Sequence, residues 1–185
     1  MIKFVSSNVH KYEEIDSMLK AHGIECSWVN MKYEEIQEDS IEKISWESCN
    51  GLIEKIDSKF FIEDSGIIIE VLGGFPGPYS SYVQRTIGNE GILKLLEGKK
   101  RNATFVTVIS YWDGHQIFQF DGRTAGTIAT SIFHGRDFGY DPIFIPNGKT
   151  VPASLLSIEE KNQVSQRGKA MIKFIEHIKE TEKEI

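Results

Sequence analysis

Cysteine is scarce in this chain: only Cys26 and Cys49 are present. They form no C-x-x-C pair and are too few for a disulfide framework, so a reducing, cytoplasmic setting is expected. The five histidines (His10, His22, His115, His134, His177) lack zinc-like spacing. No apolar run has the length that crosses a bilayer, and Ile2-Lys3-Phe4-Val5 is too short for a signal-peptide core. No membrane partner is expected. Basic residues are outnumbered, 21 Lys and Arg against 27 Asp and Glu, for a net charge of −6. Binding a nucleic acid polymer requires many cationic contacts, so any nucleic-acid-like ligand is expected to be small. Repeats, linkers and low-complexity stretches are also missing. What remains is an ordinary soluble composition, 40% hydrophobic and 26% charged over 185 residues. That predicts a single domain, residues 1–185, with a sizeable core.

The apolar patterning predicts an α/β fold. Ile2 to Val5 reads as a strand, Ser6-Ser7-Asn8 as a break, and Ile15, Met18 and Leu19 as the buried stripe of a helix ending near His22-Gly23. Ile24 to Val29 is a second strand. Asp39 and Glu42 suggest a capping box for a helix burying Ile41, Ile44, Leu52, Ile53 and Ile56. Phe60 to Ile62 and Ile67 to Val71 read as two strands on either side of an acidic turn. Helices are expected over Tyr82 to Ile87 and around Ile92 to Leu96. Ala103 to Trp112 and His115 to Phe120 form a hairpin through Asp113-Gly114, with further strands at Gly126 to Ala129 and Ile143 to Ile145. Ser157 and Glu160 form a second capping box, opening one helix that runs to about Glu180.

Five polar segments carry candidate chemistry. Glu63-Asp64-Ser65-Gly66 ends an apolar run, where an α/β sheet keeps its ligand crevice. Carboxylate oxygens there suit Mg²⁺, and Mg²⁺ suits phosphate chemistry. Ser6-Ser7-Asn8-Val9-His10-Lys11 joins a strand to a helix start that favours an anion, although it lacks the Walker glycines. Glu34-Glu35 offers a second metal carboxylate. Phe138-Gly139-Tyr140-Asp141-Pro142 combines a stacking face with a hydrogen-bond acceptor. Lys161, Asn162 and Arg167 stand near a helix start. Each segment also has a plain reading as a turn, a cap or a solvated helix face.

Taken in this order, these motifs, together with Gly74-Phe75-Pro76-Gly77-Pro78-Tyr79-Ser80, resemble the inosine triphosphate pyrophosphatase family. The resemblance runs from the first strand to the last helix. It implies an elongated mixed β-sheet with flanking helices and two lobes around a central nucleotide-binding cleft, usually as a homodimer. It also implies Mg²⁺-dependent hydrolysis of ITP, dITP and XTP to the monophosphate and pyrophosphate. Carried over by position, the substrate segments are Ser6, Ser7, Asn8, Val9, His10 and Lys11, with Lys11 and the loop backbone on the triphosphate. Glu35 and Asp64 would hold the metal, with Asp64 also the general base. Ser65 would contact substrate. Phe138, Gly139, Tyr140 and Asp141 would form the base loop, with Phe138 stacking, and Lys161, Gln166 and Arg167 would complete base recognition. Glu63 is given no catalytic role, because neighbours on a strand face opposite ways.

A 6-oxo purine presents an acceptor that a donor such as Arg167 satisfies, whereas adenine opposes it with an amino group. Such a mismatch discriminates by roughly 10⁴-fold. Two positions depart from the family pattern. Gln166 stands where the family has histidine, and it cannot carry charge. Ser154 replaces a glutamate. The alternatives are a nucleotide sensor that has lost turnover and a phosphohydrolase of another class; the D-x-D signature of aspartyl-phosphate enzymes is absent around Asp64.

Overall fold

The computed structural model describes residues 1–183. Among them, seven strands form one mixed sheet flanked by six α-helices. The strands are β1 (Ile2–Val5), β2 (Cys26–Val29), β3 (Phe60–Ile69), β4 (Pro76–Gly77), β5 (Asn102–Trp112), β6 (Ile117–Ile128) and β7 (Phe144–Pro146). The helices are α1 (Val9–Ala21), α2 (Ile41–Asn50), α3 (Ser80–Thr86), α4 (Gly88–Leu95), α5 (Ile158–Val164) and α6 (Gln166–Lys183). Strand order is β2-β1-β3-β5-β6-β7, with β4 on the same side of β3 as β1. Among the described residues, no helix is long and apolar enough to cross a membrane.

Strand β3 is the hinge of the topology. It pairs in parallel with β1 and antiparallel with β5. Contact with β1 stops at Phe61, and β4 takes up pairing only at Ile67. Residues 62–66 therefore have β5 on one side and no strand on the other. That interruption lies beside the carboxyl end of β1, and it contains the acidic pair.

The two strands expected around an acidic turn are one. Ten consecutive residues of β3 pair with β5, from Phe60 opposite Trp112 to Ile69 opposite Ala103. Glu63 sits inside the strand because buried partners satisfy it, and turn-like composition loses to those contacts. Likewise, the separate strands expected at His115–Phe120 and Gly126–Ala129 are the single strand β6, in register with β5 throughout. The second helix is capped by Ser40, whose hydroxyl accepts the Lys43 N–H, and not by Asp39. It stops at Asn50, and Leu52 and Ile56 reach the core from the turns beyond it.

The final helix is two. The Ser157/Glu160 capping box forms as expected, with reciprocal bonds of 3.1 and 2.9 Å. At Ser165 the backbone turns extended, and the Ser165 hydroxyl caps the new start by accepting the Gly168 N–H at 3.0 Å. Glycine is required there, since a Cβ at Gly168 would overlap the Asn162 carbonyl. Gly122 of β6 has the same role against the Gln166 carbonyl. These two close approaches set Gln166 and Arg167 against the sheet.

The core divides by sheet face and end. Phe4, Phe61 and Phe174 stack between the sheet and α1/α6, with ring centroids 4.9 and 4.7 Å apart. Val5, Cys49, Leu52, Phe60 and Ile62 pack on the α2 side. Beyond the acids, Ile67, Phe105, Tyr140 and Phe144 build a third cluster with α3 and α4. Truncating an aromatic such as Phe174 to alanine costs about 3–5 kcal/mol.

Candidate active site

Adjacent acids on β3 face opposite sides, as strand geometry requires. Glu63 turns toward α6 and Asp64 toward α2 and the 30–40 loop. Both are buried.

The Glu63 carboxylate is surrounded by donors. Lys11 lies 2.7 Å from Oε2 and also donates to the Glu63 carbonyl at 2.8 Å. Arg167 Nη2 is 3.2 Å from Oε1, and the hydroxyls of Ser65 and Thr107 donate to the same oxygen. Burial works to raise its pKa, but Arg167 and Lys11 outweigh burial and hold it at about 2.

Asp64 has the opposite environment. Its Oδ1 accepts from the Tyr33 hydroxyl at 3.3 Å, and Oδ2 is buried without a hydrogen-bond partner within reach. Burial pushes its pKa up to about 6; Lys11 opposes the shift, while the charges of Glu35 and Glu63 add to it. Glu35 is exposed on the loop, which is anchored by the bond from Ser48 Oγ to the Glu34 carbonyl.

The loop after β1 brings Lys11 to this point. Asn8 caps α1, accepting from the His10 and Lys11 N–H groups, and Ser6 Oγ accepts the Asn8 N–H. Ser6 is buried in that turn, while Ser7, Val9 and His10 are open to solvent. Ser65 donates to Glu63, and its oxygen lies 2.6 Å from that of Thr107.

A second charged cluster adjoins the first. Lys161 Nζ is 2.5 Å from both Glu14 and Asp141, and Arg167 Nη1 is 2.5 Å from Glu14. All four are buried. Burial works to raise the Glu14 pKa, but Arg167 and Lys161 outweigh it and hold the group low. Burial raises that of Asp141, against the pull of Lys161. Phe138 lies over this cluster, its ring centre 5.3 Å from Lys161 Nζ and 5.5 Å from the Arg167 guanidinium, with the His10 ring at 5.5 Å. Arg167 Nε is buried and unpartnered, as a group awaiting a ligand acceptor would be.

The structure thus assembles Lys11, Ser65, Phe138, Asp141, Lys161 and Arg167 on the Glu63 face of β3, while Asp64 lies on the opposite face and feels the charge of Lys11. Gln166 is buried at the start of α6. Tyr140 faces the core, its hydroxyl donating to the Ser80 carbonyl at 2.7 Å. The Gly139 carbonyl accepts from the Gln84 and Asn89 amides. Ser154, standing where a glutamate was expected, donates to the Phe133 carbonyl at 2.6 Å, and its N–H donates to the Asp141 carbonyl at 3.2 Å. It therefore ties Phe133, ahead of the base loop, to Asp141 at the loop's end.

Three contributors were missed in the sequence: Glu63, Glu14 and Tyr33. Glu14 had a signal. It lies between Lys11 and Met18 on the stripe that carries Ile15, so it is a carboxylate on a buried face. Tyr33 and Glu63 had none beyond their motifs.

The donors of Glu35 and Asp64 fit a hard divalent cation. Both are carboxylates, and Asp64 Oδ2 lacks any protein partner. No cluster of three or more His, Cys, Asp or Glu occurs among the described residues. Mg²⁺ needs only one or two carboxylates and draws its other ligands from water and phosphate.

A model of the Ham1 family matches residues 2–177. A dITP/XTP pyrophosphatase of Thermococcus kodakarensis is 44% identical over 180 residues, 97% of each chain. One from Korarchaeum cryptofilum is 46% identical over 176 residues, 95% of this chain and 94% of that one. A HAM1 protein from Coxiella burnetii shares the fold at TM-score 0.83 and 23% identity, over 97% of this chain and 100% of that chain. A dITP/XTP pyrophosphatase from Mycobacterium abscessus superposes at TM-score 0.70 and 28% identity, over 94% and 97%. This chain belongs to the Ham1 family.

Proposed function

We propose that the chain hydrolyses non-standard purine nucleoside triphosphates, ITP, dITP and XTP, to the monophosphate and pyrophosphate, clearing them from the cytoplasmic nucleotide pool as a homodimer. The two-lobed cleft of the family would hold the nucleotide between Lys11 and Phe138. One observation carries the reading: neighbouring buried acids on opposite faces of β3, Glu63 ion-paired with Lys11 and Arg167, and Asp64 with one carboxylate oxygen left without a partner.

Water attacks the α-phosphorus. A bond forms from its oxygen to phosphorus, the bond from phosphorus to the α,β-bridging oxygen breaks, and pyrophosphate leaves. Asp64 accepts the water proton; burial raises its pKa to about 6 in the metal-free protein. Lys11 draws the triphosphate in and offsets its charge. Glu35 and Asp64 are the residues that would hold Mg²⁺, which when bound supplies charge stabilisation on the phosphate oxygens. Phe138 stacks on the base. Arg167 offers its unpartnered Nε–H to the 6-oxo group, and Asp141 and Lys161 help read the base edge. Ser6, Ser7, Asn8, Val9, His10, Gly139, Tyr140 and Gln166 frame these contacts.

The test is incubation with ITP, dITP, XTP, GTP and ATP, with and without Mg²⁺, measuring pyrophosphate. Pyrophosphate from the first three in the presence of Mg²⁺ is expected. Orthophosphate as the product, or tight binding of every nucleotide without turnover, would overturn the reading.

A further inference from the structure

We propose that Glu63 is the positioning residue of this site, fixing from one buried carboxylate both the ammonium of Lys11 and the guanidinium of Arg167. The inference deepens the reading above and rests on it.

A carboxylate placed where no water reaches is costly unless paired and hydrogen-bonded. Its strand neighbours Phe61, Ile62 and Ile67 are apolar, so packing alone does not call for a charge at position 63. The residue is nevertheless fully buried and contacts two cations and two hydroxyls. The cations belong to opposite ends of the substrate site. Lys11 comes from the start of α1, on the phosphate side, and reaches Glu63 through the interruption between β1 and β4. Arg167 comes from the start of α6, beneath Phe138.

The ion pairs form an alternating series: Lys11, Glu63, Arg167, Glu14, Lys161, Asp141. Among the described residues, Glu63 is the sole ion-pair partner of Lys11 and the only direct link from it to Arg167. Arg167 keeps Glu14 when Glu63 is lost, whereas Lys11 keeps no carboxylate. Glu63 occupies at most two of the three Lys11 N–H donors, through its carbonyl and carboxylate oxygens, leaving a donor for a phosphate oxygen. Glu63 itself touches no reacting atom, so its effect passes through the groups it holds.

This predicts an asymmetric and coupled effect. Glu63→Gln lowers kcat/KM for XTP by roughly 10- to 100-fold, about the loss of one preorganised charge contact. It also weakens binding of inorganic tripolyphosphate, which probes the phosphate end alone. Glu63→Asp restores part of both. In the wild-type background, Lys11→Ala and Arg167→Lys together cost at least about fivefold less than the product of the single losses, as expected of groups sharing one partner. In the Glu63→Gln background the two losses multiply. A purely structural role would shift the melting temperature but leave that cycle unchanged.

If Glu63→Gln fails to fold, Thr107→Val removes the 3.1 Å hydroxyl bond to the carboxylate together with the 2.6 Å contact to Ser65, with a fall of about threefold in kcat/KM expected. The positioning role is overturned by unchanged kcat/KM in a folded Glu63→Gln protein, by unchanged kcat/KM in Thr107→Val where Glu63→Gln does not fold, or by losses at Lys11 and Arg167 that multiply in the wild type. Absence of pyrophosphate release from wild-type protein with every nucleotide defeats the parent reading instead. The cycle is then read from tripolyphosphate affinity by calorimetry, and no coupling or no binding there defeats this inference too.

Discussion

The two faces of β3 give neighbouring acids opposite chemistry. On the α6 face, Glu63 is held at a pKa of about 2 by Arg167 and Lys11. On the α2 face, Asp64 meets a tyrosine hydroxyl at 3.3 Å, and burial raises it to about 6 against the pull of Lys11 and Ser45. Burial is similar for both, so the partners decide. A charge locked in place suits a scaffold. A carboxylate that is unpaired and close to neutrality suits proton transfer and metal binding.

The sharpest way to break this contrast is at Asp64. Asp64→Asn is expected to lower kcat by about 10²–10⁴-fold while nucleotide binding persists; near-normal kcat would remove Asp64 from the mechanism. Stability moves the other way. The folded-state pKa of Asp64, about 6, lies above its ordinary 3.8, so its contribution is intact below pH 3.8 and is lost as pH rises to about 6. At pH 7 without metal, the amide should therefore stabilise the fold by on the order of 2–3 kcal/mol. Glu63 has the reverse sign, its stabilisation being lost as pH falls toward 2, so Glu63→Gln destabilises at pH 7. Denaturation midpoints of both variants moving the same way would contradict the contrast.

Lys161→Met tests the locked side without touching β3. It leaves Asp141 buried and unpaired, and a loss of about 3–5 kcal/mol is expected in urea unfolding. Gln166→His sharpens base reading, where a change of roughly three- to tenfold in kcat/KM for ITP relative to GTP is expected. An unchanged ratio would mean that position 166 takes no part in selectivity. The smallest effect is expected at the surface. Arg123→Ala breaks a half-exposed pair with Glu42, and its cost by the same unfolding measurement is no more than about 1 kcal/mol.

Local features were legible in the sequence. The Ser157/Glu160 box, the stripe Ile15, Met18 and Leu19, and the Asp113-Gly114 turn depend on residues a few positions apart. The course of β3 was not, since what keeps Glu63 inside a strand is a lysine 52 positions away and an arginine from the last helix. The Glu14–Arg167 pair spans 153 positions. The break at Ser165 depends on close approaches at Gly122 and Gly168 that no local pattern announces. Motif order nevertheless marked Lys11, Phe138, Lys161 and Arg167, which the fold links through Glu63 and the Phe138 ring, and Asp64, which it places on the other face of β3. The opposed faces of Glu63 and Asp64 were foreseen, but the ion pairs on Glu63 were not.

The interruption in β3 has a consequence for behaviour in concentrated solution. Residues 62–66 carry peptide groups with no strand neighbour on one side. A bare strand edge invites a strand from another molecule, and buried charge at the edge discourages it. Lys11 already spans this gap to the Glu63 carbonyl. An incoming strand would have to displace that ammonium and strand a buried carboxylate. The lysine proposed to meet the phosphates thus also guards this gap against edge-to-edge strand pairing.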